Sequence, residues 1–110
     1  MDKKYKVITL CGSIKFKEIF FKMQEKLTLN GNIVLTPNFF QSIKKEKINE
    51  QTKKTLDGKT KKMLDEMHKQ KIDMSDAIFV INVNGYIGES TKNEIEYAKS
   101  KNKEILYLEN

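Results

Sequence analysis

Apolar and polar positions divide the chain into short β-rich runs that alternate with amphipathic stretches. Residues 6–11 (KVITLC) are apolar and β-branched and end in Gly-Ser, which reads as a buried strand turning into a helix. From Ser13 onward Phe16, Ile19, Phe20, Met23 and Leu27 recur at helical spacing, and the pattern stops at Asn30-Gly31, a helix C-terminal signal. Residues 32–37 (NIVLTP) predict a second strand, closed by the chain's one proline. After Gly58, the spacing of Met63, Leu64, Met67, Ile72 and Met74 predicts a second amphipathic helix. Residues 77–83 (AIFVINV) are the clearest strand; a helix from about 90 to 101, burying Ile95 and Ala98, and a last strand at 105–108 follow. The stretch 41–58 holds few apolar positions among many Lys, Glu, Asn and Gln, and reads as a mobile loop, with some helix left open, able to act as a lid.

Short apolar strands alternating with helices imply right-handed crossovers into a parallel sheet. The expected fold is therefore α/β, a small flavodoxin-like (Rossmann-type) three-layer sandwich with strand order 2-1-3-4. Ligands in such sheets bind at the carboxyl ends of the strands, at the switch point between strands one and three. The segments that meet there are Cys11-Gly12-Ser13-Ile14-Lys15 and Asn84-Gly85-Tyr86-Ile87-Gly88-Glu89-Ser90.

Composition narrows the picture. With 110 residues and 38% hydrophobic content, the chain suits one domain, residues 1–110, with one modest core. No stretch approaches the length of a membrane span, and the start lacks the pattern of a signal peptide. With a single cysteine as well, a reduced, cytoplasmic setting is the expectation, and Cys11 reads as a small buried apolar residue. The net charge is +6, yet all 21 basic residues are lysine. A dedicated nucleic-acid reader without arginine, the usual bidentate ligand of phosphates and guanines, would be unusual. A lysine-rich nucleic-acid accessory protein is therefore disfavoured, and a solvated surface is the plainer account of the charge.

Several residues at the crevice could carry chemistry. Gly12 and Ser13 open a helix directly after a strand, where backbone N–H groups suit a phosphate or carboxylate, with Lys15 as an added donor. An ordinary turn and N-cap explain the same letters. Two glycines within residues 84–90 allow close backbone approach to a ligand, or two tight turns. Glu94 stands three residues after Thr91, so it reads either as the partner in a capping box or as a carboxylate in the first turn of a helix facing the crevice, able to attack an electrophilic carbon. Glu89 is a second carboxylate in that loop. His68, the one histidine, shares a helix face with Leu64 and Ile72 and points toward the sheet, as a packed core residue or as a general acid or substrate-orienting partner. Asp73 and Asp76 read as helix-end and turn residues. No metal-ligand spacing is legible, since one His and one Cys need several carboxylates beside them, and no cofactor is implied.

Residues 10–15 (LCGSIK), 75–80 (SDAIFV) and 88–98 (GESTKNEIEYA) resemble the nucleoside 2-deoxyribosyltransferase family, and within it the branch of 2'-deoxynucleoside 5'-phosphate N-hydrolases. The resemblance covers nearly all of the chain outside 41–58. It implies cleavage or transfer at the N-glycosidic bond of a nucleoside or nucleotide, through a glutamate that attacks the anomeric carbon and forms a glycosyl ester. Glu94 matches that nucleophile. Gly12, Ser13 and Lys15 would hold the 5'-phosphate, with Gly88 and Ser90 lining the sugar-phosphate site. His68 falls where the family usually has an aspartate that orients the sugar or assists base departure. Gly88 falls where the family has a carboxylate or serine, so that Glu89 or Ser90 would substitute. The resemblance further implies a homodimer or higher homo-oligomer, and Phe39 and Phe40 are candidates for the base-pocket wall or for core packing. A nucleotide-binding or sensing module without turnover is the rival expectation on the same fold.

Overall fold

A computed structural model of the chain describes residues 4–39 and 58–110. The expected loop 41–58 and Phe40 lie outside the described residues, except for Gly58, which opens a helix. The elements run β1 (Lys6–Gly12), a 3₁₀ turn (Ile14–Phe16), α1 (Lys17–Leu29), β2 (Asn32–Leu35), α2 (Gly58–Asp73), β3 (Ala77–Ile81), a second 3₁₀ turn (Val83–Gly85), α3 (Glu89–Ser100) and β4 (Glu104–Tyr107). All strand pairs are parallel, and the sheet order is β2-β1-β3-β4, as the alternation of strands and helices requires.

Strand parity distributes the core over two faces, because successive side chains of a strand point to opposite sides. Leu10 and Ile81 pack with Phe20 of α1 on one face, where Phe16, Ile19, Met23 and Leu27 supply the amphipathic stripe seen in the sequence. Cys11, Ile78 and Val80 pack on the other face with Ile72 of α2 and with Ile95 and Ala98 of α3. The sheet is thus covered by α1 on one side and by α2 and α3 on the other, a three-layer α/β domain. No helix among the described residues is long and apolar enough to cross a membrane.

Polar contacts fix the ends of these elements. Asp76, just before β3, accepts the Val7 N–H at 2.8 Å, and its own N–H donates to the Val7 carbonyl at 2.8 Å, so the turn residue sets the register of β3 against β1. Asp73 ends α2; Tyr97 Oη donates to its Oδ1 at 2.7 Å and Lys103 Nζ to its carbonyl at 3.1 Å, tying α2 to the end of α3. Thr9 and Ser75 hydroxyls bond each other and the Lys71 carbonyl, which satisfies two buried polar side chains beneath the last turn of α2.

Some boundaries differ from the sequence reading, each for a local reason. β2 stops at Leu35, where its pairing with Thr9 ends, rather than at Pro37, which has no N–H to give a ladder. β3 stops at Ile81, because Asn84 and Gly85 take left-handed conformations (φ 54° and 77°) and bend the chain into the second 3₁₀ turn. A 3₁₀ turn capped by Ser13 precedes α1, which starts only at Lys17. The third helix begins at Glu89 with Gly88 as N-cap, so Thr91 and Glu94 lie inside it rather than at its start.

Candidate functional site

The carboxyl ends of β1 and β3, the N-terminal half of α3 and the middle of α2 enclose a cavity of about 430 Å³. It is lined by Gly12, Ser13 and Ile14 after β1, by Pro37 and Asn38 after β2, and by Leu64, Asp65 and His68 of α2. Tyr86, Gly88, Glu89, Ser90, Thr91 and Glu94 complete it. Its volume falls in the range of small-molecule sites, about 300–1,000 Å³.

At Gly12 a side chain is excluded by packing. An added Cβ would sit 2.9 Å from Ile81 Cβ and 3.2 Å from Phe20 Cζ, so the turn must pass between β3 and α1 as bare backbone. Ser13 accepts the Lys15 N–H at 3.3 Å, which is the N-cap role read from the sequence, and it still borders the cavity. Lys15 does not line the cavity. Its ammonium lies 3.7 Å from the centre of the Tyr86 ring and 5.2 Å from that of Phe16, and those two rings meet edge to face at 6.0 Å. The loop after β3 is held from the far end of the chain. Asn82 exchanges two hydrogen bonds of 2.9 Å with the backbone of Glu109, and the Glu109 carboxylate accepts the Asn84 N–H at 3.0 Å. On the opposite wall, Lys71 Nζ donates to the Thr36 carbonyl at 2.8 Å and to Asn38 Oδ1 at 3.2 Å, and partial burial lowers its pKa.

At the cavity's inner end lies a cluster that joins three elements. Glu94 of α3 presents Oε1 3.5 Å from His68 Nε2 of α2, and the same Nε2 lies 3.6 Å from Cys11 Sγ of β1. The Glu94 side chain is 23% exposed and that of His68 12%, while Cys11 is fully buried. Burial pushes the Cys11 thiol well above its ordinary range, and the neighbouring Glu94 adds to the rise through its charge and a hydrogen bond. The other ring nitrogen, His68 Nδ1, is buried without a hydrogen-bond partner among the described residues.

These positions answer the sequence expectations residue by residue. Gly12, Ser13, Gly88, Glu89, Ser90, His68 and Glu94 all border one cavity. Because Gly88 caps α3 without a side-chain cap bond, the capping-box reading of Glu94 does not hold, and the carboxylate sits in the second turn, facing α2. Phe39 stands against Phe20 and Phe21, with ring centres 5.4 and 5.5 Å apart, and takes the core role rather than the pocket wall. Cys11 was readable from strand parity, since it points away from Leu10 and hence toward α2. Asp65 follows from its place one turn before His68. Tyr86 had no signal beyond its place in the loop. The three donor types of Cys11, His68 and Glu94 converge within 4.8 Å, where sequence spacing predicted no metal constellation, because they come from separate elements.

No family model matches the chain, and no curated protein matches it. The fold and the site define a small parallel α/β domain with a carboxylate–imidazole–thiol cluster at the carboxyl edge of its sheet.

Proposed function

We propose that this chain cleaves, or transfers across, the N-glycosidic bond of a nucleoside or nucleoside 5'-monophosphate, with Glu94 as nucleophile. The observation that carries the reading is the Glu94 carboxylate, which borders a cavity of small-molecule size and lies 3.5 Å from His68 Nε2 instead of folding back on its own helix start. The resemblance of residues 88–98 to the deoxyribosyltransferase motif supports the same assignment.

In this mechanism a Glu94 oxygen attacks the anomeric carbon as the bond to the base nitrogen breaks and its electron pair departs with the base. Water or a second base then attacks the same carbon of the glycosyl ester, and the carboxylate is regenerated. His68 touches the nucleophile and so lies on its side of the anomeric carbon, whereas a proton donor to the departing base must stand on the opposite side. Its role is therefore to orient Glu94 for attack. The anionic end of a nucleotide would meet the bare backbone at Gly12, the Ser13 hydroxyl and the first-turn N–H groups of α3, which have no intrahelical acceptors. Lys15, over the Tyr86 ring at the cavity's edge, would add positive charge there.

Incubation with a panel of ribo- and deoxyribonucleosides and their 5'-monophosphates, followed by chromatography for the freed base, tests the reading. Release from at least one member is expected, and Glu94→Gln should lower it at least about a thousandfold, the scale on which loss of a covalent nucleophile acts. Equal nucleotide binding by wild type and variant, with no base released by either, would instead make the chain a non-catalytic nucleotide-binding module.

A further inference from the structure

We propose that Cys11 Sγ, His68 Nε2 and Glu94 Oε1 form a three-donor site for a zinc-class divalent cation, with a fourth position open to the cavity. The chain's one cysteine and one histidine lie 57 residues apart in sequence, and the fold brings them to 3.6 Å with a carboxylate beside them. Zinc bonds of about 2.3 Å to sulfur, 2.05 Å to nitrogen and 2.1 Å to oxygen give tetrahedral edges of about 3.6 Å (S···N) and 3.4 Å (N···O). The observed separations are 3.6 Å and 3.5 Å. All three donor atoms lie within 4.8 Å of one another, so closing the third edge needs at most a shift of the partly exposed Glu94 side chain.

The donor types agree with the metal. Thiolate and imidazole favour zinc over magnesium or calcium, and one carboxylate completes a mixed S, N, O set. Three protein ligands with a fourth position facing solvent is the arrangement of an open zinc site, and Glu94 lines the cavity that would supply that position. Binding exchanges the thiol proton of Cys11 for the metal, with the proton released to solvent, so affinity increases with pH. Coordination at Nε2 leaves the ring proton on Nδ1, which has no partner among the described residues. A missing outer partner typically weakens a site about 10–100-fold, so binding is reversible and chelator-sensitive rather than structural.

The site itself stands independently of the glycosidic reading; one consequence rests on that reading, namely that a bound cation occupies Glu94 and halts turnover. Cobalt(II) is the probe. Titration of the metal-free protein should give a near-ultraviolet thiolate-to-cobalt band, whose source can only be Cys11, and zinc should displace it. His68→Gln and Glu94→Gln should each weaken cobalt and zinc binding at least tenfold with the far-ultraviolet circular dichroism unchanged. X-ray absorption of the zinc-loaded wild type, which needs no variant, should show one sulfur neighbour among nitrogen and oxygen. No thiolate band at saturating cobalt, no sulfur neighbour, or affinities unmoved by both variants would overturn the site. Base release by chelator-treated protein that forms no band would leave the glycosidic reading standing without the metal site; a band without base release would do the reverse.

Discussion

Gly12 shows how one missing side chain shapes the cavity. The turn after β1 passes so close to Ile81 and Phe20 that a methyl group would overlap them, and Ile81 Cβ and the Phe20 ring are buried with little room to yield. Gly12→Ala should destabilise the domain by about 1–3 kcal/mol, the cost of overpacking a tight core. Chemical denaturation of the two proteins checks this. A larger, exposed-loop type of tolerance, with no change in midpoint, would mean that the turn moves freely. Tyr97 gives a second test at this scale. Its hydrogen bond to Asp73, with burial and the Asp73 charge adding to it, raises the phenol above its ordinary value. A raised phenol pKa favours the neutral form in the folded state, so the contribution is full below the ordinary value, near 10, and is lost as pH climbs from there through the raised value of the folded protein. Absorbance titration should show one of the four tyrosines ionising after the rest, and Asp73→Asn should bring it back toward the others.

At the scale of elements, the candidate site is built from segments that are tied down by residues remote in sequence. The loop after β3 carries Tyr86 and leads into α3, and its base is clamped by Asn82 to the Glu109 backbone beyond β4. Asn82 is nearly buried, so Asn82→Ala removes two hydrogen bonds without solvent to replace them fully. A loss of about 1–3 kcal/mol is expected. If the clamp also aims the loop, ligand affinity should fall in the same variant by more than a distant substitution of equal stability cost produces; thermal unfolding beside nucleotide binding separates the two. The Lys71 bridge to Thr36 and Asn38 plays the matching part on the opposite wall, joining the end of β2 to α2.

For the whole molecule, one sheet covered on both faces predicts a single cooperative unit. Cys11 is fully buried on β1, paired with Val80 of β3 and packed beneath Ile72 of α2 and Ile95 and Ala98 of α3. Alkylation of this one thiol should therefore stay slow until the domain opens, and protection should be lost at the denaturant concentration at which the circular dichroism signal collapses. Rapid labelling well before that point would show that α2 or α3 detaches from the sheet separately.

The architecture was legible in the chain because its signals are local. Strand runs such as residues 77–81 and the helical spacing of Phe16, Phe20, Met23 and Leu27 reflect burial on one sheet face, and alternation of the two element types leaves few topologies open. The place of the cavity followed from that topology, and Gly12, His68 and Glu94, which border it, were visible as residue types at the carboxyl edge. Helix starts were less legible: T-x-x-E at residues 91–94 carries the letters of a cap, but Gly88 takes that position because extended backbone there lets α3 begin one turn earlier. The convergence of Cys11, His68 and Glu94 was decided only by the tertiary structure. Periodicity tells which face of an element is buried, whereas which residues of three separate elements share a point in space depends on strand register, helix rotation and the depth at which α2 and α3 pack on the sheet.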